Sequence, residues 1–95
     1  MLETNFQIPP QLDFETMVNE IEKKWKVEFI NSDKCIIKFH KGITFRDWGF
    51  GAFLEVRSNT AYLVTFPLSG NSMGQNKRVK AFNYSVQNLI SNVKL

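Results

Sequence analysis

From Phe14 onward a hydrophobic side chain recurs every three or four residues: Phe14, Met17, Val18, Ile21 and Trp25. This is one stripe of a 3.6-residue period, and it predicts an amphipathic helix over about Asp13 to Trp25. Asp13 suits the N-cap, Glu15 the positive end of the helix dipole, and Lys23 and Lys24 the negative end. A second stripe, Val79, Phe82, Val86, Leu89, Ile90 and Val93, predicts a helix over about Lys80 to Val93 with an outer face rich in Asn and Gln. Ahead of the first helix, residues 1–11 read as an extended arm, because Pro9-Pro10 excludes helical geometry there.

Between the two helical stripes the period falls to two. Lys26–Asn31 and Cys35–His40 read as a β-hairpin around Ser32-Asp33-Lys34. A three-residue loop sets Val27 against Phe39, Phe29 against Ile37 and Asn31 against Cys35. It leaves Glu28 facing Lys38 and Ile30 facing Ile36 on the other side. Ala52–Arg57 and Ala61–Phe66 read as a second hairpin around Ser58-Asn59-Thr60. The same loop length pairs Val56 with Tyr62, Leu54 with Val64 and Ala52 with Phe66 on an apolar face. Phe53, Glu55, Arg57, Leu63 and Thr65 then fall on a mixed face. Pro67 ends that strand, since it has no N–H to donate.

The expected fold is therefore α+β: a four-stranded antiparallel sheet of two hairpins, in the order α-β-β-β-β-α, with both helices packed on one face. Residues 12–95 form a single domain behind the arm at 1–11. The connection Lys41–Gly51 is long for a hairpin loop, and Ile43-Thr44-Phe45 has the composition of an additional short strand.

Composition narrows the class. The chain has 95 residues, 43% hydrophobic and 14% aromatic with nine Phe, enough for one well-filled core. No apolar run reaches the roughly 18 residues that a membrane span needs, and the N-terminus lacks the pattern of a secretory signal. A single cysteine, Cys35, suits a reducing compartment, so a cytoplasmic location without membrane association is expected. Within Cys35-Ile36-Ile37 that thiol reads as buried and inert.

The net charge of +3 conceals an asymmetry. Residues 1–22 carry five acids and no Lys or Arg, a charge of −5, whereas residues 23–95 carry twelve basic residues against four acids, a charge of +8. Two readings stand: an anionic partner for the C-terminal part, or mutual neutralisation within the fold.

Candidate chemistry is sparse. The only histidine, His40, has no companion ligands for a metal and no partnered nucleophile, so neither a catalytic site, nor a metal site, nor a cofactor is expected. Two segments remain. Arg46, Trp48 and Phe50, in Phe45-Arg46-Asp47-Trp48-Gly49-Phe50-Gly51, combine the residue types that dominate protein interfaces, and Phe53 and His40 project from the mixed face beside Ile30, Ile36 and Leu63. The other is the stretch Gly70 to Lys80, in which Gly70 and Gly74 lead to Lys77, Arg78 and Lys80 at a helix start, an arrangement suited to an anion. It lacks the G-x-x-x-x-G-K-[ST] spacing of a nucleotide-binding P-loop. The expected function is a small non-enzymatic module that binds a protein partner or a second copy of itself. The alternative is nucleic acid or another anionic ligand held by the basic residues. Stacking of single-stranded bases on the sheet is disfavoured, because the predicted register places Tyr62 and Phe66 against the helices and leaves Phe53 alone.

Overall fold

A computed structural model describes residues 1–41, 49–68 and 75–93, the last segment without the side chains of Gln75 and Asn76. Its first element is β1 (Leu2–Gln7), whose alternating burial places Leu2, Thr4 and Phe6 inward and Glu3, Asn5 and Gln7 outward. The chain then turns at Pro9, where the Leu12 N–H donates to the Pro9 carbonyl at 3.0 Å. Helix α1 (Phe14–Lys24) starts at Asp13, whose carboxylate accepts from the Thr16 N–H at 2.7 Å, and ends at Trp25 in extended geometry. Four strands follow, β2 (Lys26–Asn31), β3 (Ile36–Lys41), β4 (Phe50–Arg57) and β5 (Thr60–Pro67), and then helix α2 (Gln75–Ser91).

All five strands form one antiparallel sheet in the order β1-β5-β4-β3-β2. The α+β class, the antiparallel sheet and the two helices match the expectation. The strand count and the order do not. Residues 2–7 pair with β5 as a fifth strand, so the order is β-α-β-β-β-β-α. The chain crosses from one sheet edge to the other between β1 and β2, and α1 makes that crossing. Helix α2 also begins about five residues earlier than its apolar stripe indicates, so Lys77 and Arg78 lie in its first turn.

One hydrophobic cluster joins both helices to the sheet. Met17, Val18 and Ile21 of α1 and Val79, Phe82, Val86 and Ile90 of α2 meet Ile37, Phe39, Ala52, Leu54, Ala61 and Leu63. Aromatic rings fill one end of it: Trp25 stacks on Phe39 at 5.5 Å, and Phe82 meets Trp25 edge-on at 5.4 Å. Such geometries suit the quadrupoles of the rings and add to the area they bury.

A polar network lies between α2 and the β1–β5 pair. The Asn83 carbonyl oxygen accepts from the Thr4 hydroxyl at 3.1 Å and from the Gln87 amide at 2.7 Å, while the Asn83 amide donates to Thr65 Oγ1 at 3.2 Å. Asn83 and Thr65 are fully buried, so each needs these partners. Asn83 is thus an exception to the outer face rich in Asn and Gln: it points inward, where Thr4 of β1 and Thr65 of β5 lie beneath the helix.

Candidate binding surface on the helix-free face of the sheet

Two local features decide which side chains face away from the helices. Ser58 and Asn59 both adopt left-handed backbone geometry, with φ of 49° and 65°. A two-residue turn of this kind matches the twist of paired strands, and Asn tolerates the conformation better than most residues. It closes on Arg57 opposite Thr60, so Val56 faces Ala61, Leu54 faces Leu63 and Ala52 faces Thr65. The three-residue loop expected around Ser58-Asn59-Thr60 is corrected by one residue, which exchanges the two faces of β5. Ala61, Leu63 and Thr65 are buried on the helix side, Thr65 bonded to Asn83 of α2, and Tyr62, Val64 and Phe66 turn to the other side.

In β2 the register shifts between Val27 and Phe29. Val27 opposes Phe39 as expected, but beyond the bulge Phe29 faces Lys38, Ile30 faces Ile37 and Asn31 faces Ile36. The expected pairs Glu28–Lys38 and Ile30–Ile36 are thereby replaced. Glu28 instead reaches His40 Nδ1 at 3.5 Å, and Ile30 moves to the helix side, beside Phe14 and Val18. Cys35 occupies the hairpin turn with φ of 55° and is half-buried, in place of the fully buried strand position expected for it.

The outcome is an apolar band on the helix-free face. Register places Val64, Phe53, Lys38 and Phe29 in one row across β5, β4, β3 and β2, with Tyr62, Glu55 and Ile36 in the next. Tyr62 is 41% exposed and Phe29 50%, while Phe53, Val64, Ile36 and Phe66 are half-buried. Phe66 lies over Gly51, where a Cβ would come within 2.5 Å of its ring, so the glycine lets the ring lie flat on the sheet.

Charged groups interrupt and flank this band in near balance, Lys38 between Phe53 and Phe29 and Glu55 between Tyr62 and Ile36. The strands place Glu3, Glu28 and Glu55 there against Lys26, Lys38 and Arg57. Arg57 binds Glu55 at 2.8 Å and lies over the Tyr62 ring at 5.4 Å from its centroid. That hydrogen bond holds the Glu55 carboxyl below its usual range, with the Arg57 and Lys34 charges acting in the same direction.

Of the residues expected at a protein interface, Phe53 and His40 lie on this face. Phe50 does not: it is in the core, 2% exposed, against Phe82. Leu63, placed on the mixed face by the expected register, is likewise fully buried. Arg46 and Trp48, with the rest of 42–48 and its candidate strand Ile43-Thr44-Phe45, lie outside the described residues, as do Gly70 and Gly74.

The basic residues of α2 are exposed and diverge. Arg78 lines a cavity with Lys24 and Lys41, whereas Lys80 lies beside Met1 and Leu2 on another flank. Phe29, Tyr62, Val64 and Phe66 are the surface residues that sequence reasoning missed. For the last three a signal exists, in that Asn59 favours the left-handed geometry of a two-residue turn. The β2 bulge has no comparable mark.

Among the described residues no group of three or more His, Cys, Asp or Glu side chains could hold a metal ion. None of the described helices is long and apolar enough to cross a membrane. Comparisons with protein-family models, curated proteins and solved structures found no match.

Proposed function

We propose that the protein is a non-enzymatic binding module that docks a partner protein on the helix-free face of its sheet. The observation that carries this reading is the apolar band formed by Val64, Phe53 and Phe29 with Tyr62, Ile36 and Phe66. Antiparallel sheets in two-layer folds ordinarily turn a polar face to water. A mostly apolar face crossed by single charges of both signs instead suits a protein partner that buries the rings and matches Lys38 and Glu55 with opposite charges.

Charge separates this from the nucleic-acid alternative. The corrected register returns Tyr62 and Phe66 to the open face, so aromatic rings for stacking are present there. A polyanion, however, requires a surplus of positive charge along its track. Three Glu balance two Lys and one Arg, only Lys34 of the adjoining turn adds to them near Glu55, and Arg57 is already engaged by Glu55. Exposed Lys77 and Lys80 stand on α2, away from those rings.

The test exploits two tyrosines. A photo-reactive phenylalanine at Tyr62 reports the sheet face, and the same residue at Tyr84, 67% exposed on α2, is the control. On irradiation in the producing cells, position 62 should yield a discrete protein adduct that Val64→Lys abolishes, and position 84 should not. An adduct of the chain with itself would identify the partner as a second copy. Equal labelling from both positions, or a nuclease-sensitive adduct at position 62, would refute the reading.

A further inference from the structure

The row across the helix-free face has a fifth member. Glu3 of β1 opposes Val64, so the order from edge to edge is Glu3, Val64, Phe53, Lys38 and Phe29. Glu3 and Lys38 are both exposed, and neither has an ion-pair partner among the described residues. They stand three strand spacings apart, roughly 14 Å, too far to meet within one chain. Lys38 lies between two rings, so a partner that covers Phe53 and Phe29 must bring a carboxylate to it.

This row is complementary to itself about the line between β4 and β5. Val64 and Phe53 flank that line, and Glu3 and Lys38 stand one strand further out on either side. A two-fold axis along the line, in the plane between two copies, lays Val64 on Phe53 and Glu3 on Lys38, each contact occurring twice. In the neighbouring row, Asn5, Tyr62, Glu55 and Ile36, the same axis lays Tyr62 on Glu55 and Asn5 on Ile36. Arg57 lies over the Tyr62 ring, so each Glu55 also receives a cation from the opposite copy. An axis along β4 instead would set Lys38 on Val64 and Glu3 on Phe29, so charge selects the line between β4 and β5.

We propose that the partner on this face is a second copy of the chain, packed sheet to sheet about that axis with Lys38 of each copy bound to Glu3 of the other. This rests on the reading of the helix-free face as the docking surface. Sheets stacked face to face lie about 10 Å apart with strands aligned to within about 30°, a gap that extended Lys and Glu side chains span together. The balance of three Glu against two Lys and one Arg suits a surface that meets itself, because an excess of either sign would repel its copy. Phe29, on the outermost strand, overhangs β1 of the second copy.

Sedimentation of the full chain up to about 500 μM tests this, a concentration that detects even a weak dimer. The parent should show a monomer–dimer equilibrium that Val64→Lys abolishes. Glu3→Lys and Lys38→Glu each turn two attractions into two repulsions, and each should weaken the dimer at least about a hundredfold. An equimolar mixture of these two variants restores opposite charges at both contacts and should dimerise as tightly as the parent. Both positions are exposed, and unchanged amide spectra of the variants establish that the fold is kept. A parent that stays monomeric, single variants that dimerise like the parent, or a mixture that stays monomeric would overturn the inference. The docking surface itself survives those results if position 62 still yields an adduct with another protein, whereas loss of every adduct there refutes surface and inference together.

Discussion

Replacing Asn83 with Ala removes the centre of the network that ties α2 to β1 and β5. Three hydrogen bonds are lost, at 3.1, 2.7 and 3.2 Å. Their costs differ. Thr65 is fully buried and cannot turn to water, so its loss of a partner costs about 1–3 kcal/mol. Thr4 and Gln87 are half-buried, can recover water, and together cost about 1 kcal/mol. The better helix propensity of Ala offsets roughly 0.5 kcal/mol. The expected net loss is about 1.5 to 3.5 kcal/mol, seen as a fall in Tm of roughly 6 to 28 °C for a domain of this size. Urea unfolding of Asn83→Ala, Thr65→Val and the double variant completes the assay. Once Thr65 no longer needs the amide, the double variant should cost about 1 kcal/mol less than the sum of the singles. A loss below about 0.5 kcal/mol for Asn83→Ala, or strict additivity with Thr65→Val, would show that the Asn83–Thr65 contact does not hold α2 to β5.

Two further expectations concern local geometry. Because Asn59 has φ of 65°, Asn59→Gly should be tolerated and stabilise by about 0.5 kcal/mol, whereas Asn59→Val should destabilise by more than that, both read from urea midpoints. Opposite results would exclude the two-residue turn and the faces it sets. For Asp13, the Thr16 hydrogen bonds hold the carboxyl below its usual pKa in the folded state. A depressed folded pKa adds stability above the unfolded value that is lost as the pH falls through the folded one. The stability gap between the parent and Asp13→Asn should therefore close as the pH is lowered from 7 to below about 4. A gap that widens with acid would contradict the capping role.

Several elements are legible from local chemistry. The span of α1 follows from its stripe and from Asp13, because a cap and a 3.6-residue period act within a few residues. Val27 opposite Phe39 follows from alternation alone. β1 is harder to read: the inward Thr4 interrupts its apolar row, and its partner β5 lies more than fifty residues away. The inward position of Asn83 is then hidden as well, since it makes sense only once Thr4 and Thr65 lie beneath α2.

The candidate surface depends on a similar contingency. In β5 both alternating sets could be buried, Tyr62, Val64 and Phe66 or Ala61, Leu63 and Thr65, so hydrophobicity alone does not choose between them. Bulk favours the first set, and the fold uses the second. Ala52, Ala61 and Thr65 are small enough for α2 to lie close on the sheet, and the Ser58-Asn59 turn sets that register. The sequence by itself therefore determined the helices, the hairpins and an apolar core of this size. Which rings fill the core and which remain on the open face was decided by tertiary structure, because one residue of register reverses a strand and only the space beneath a helix selects between two apolar faces.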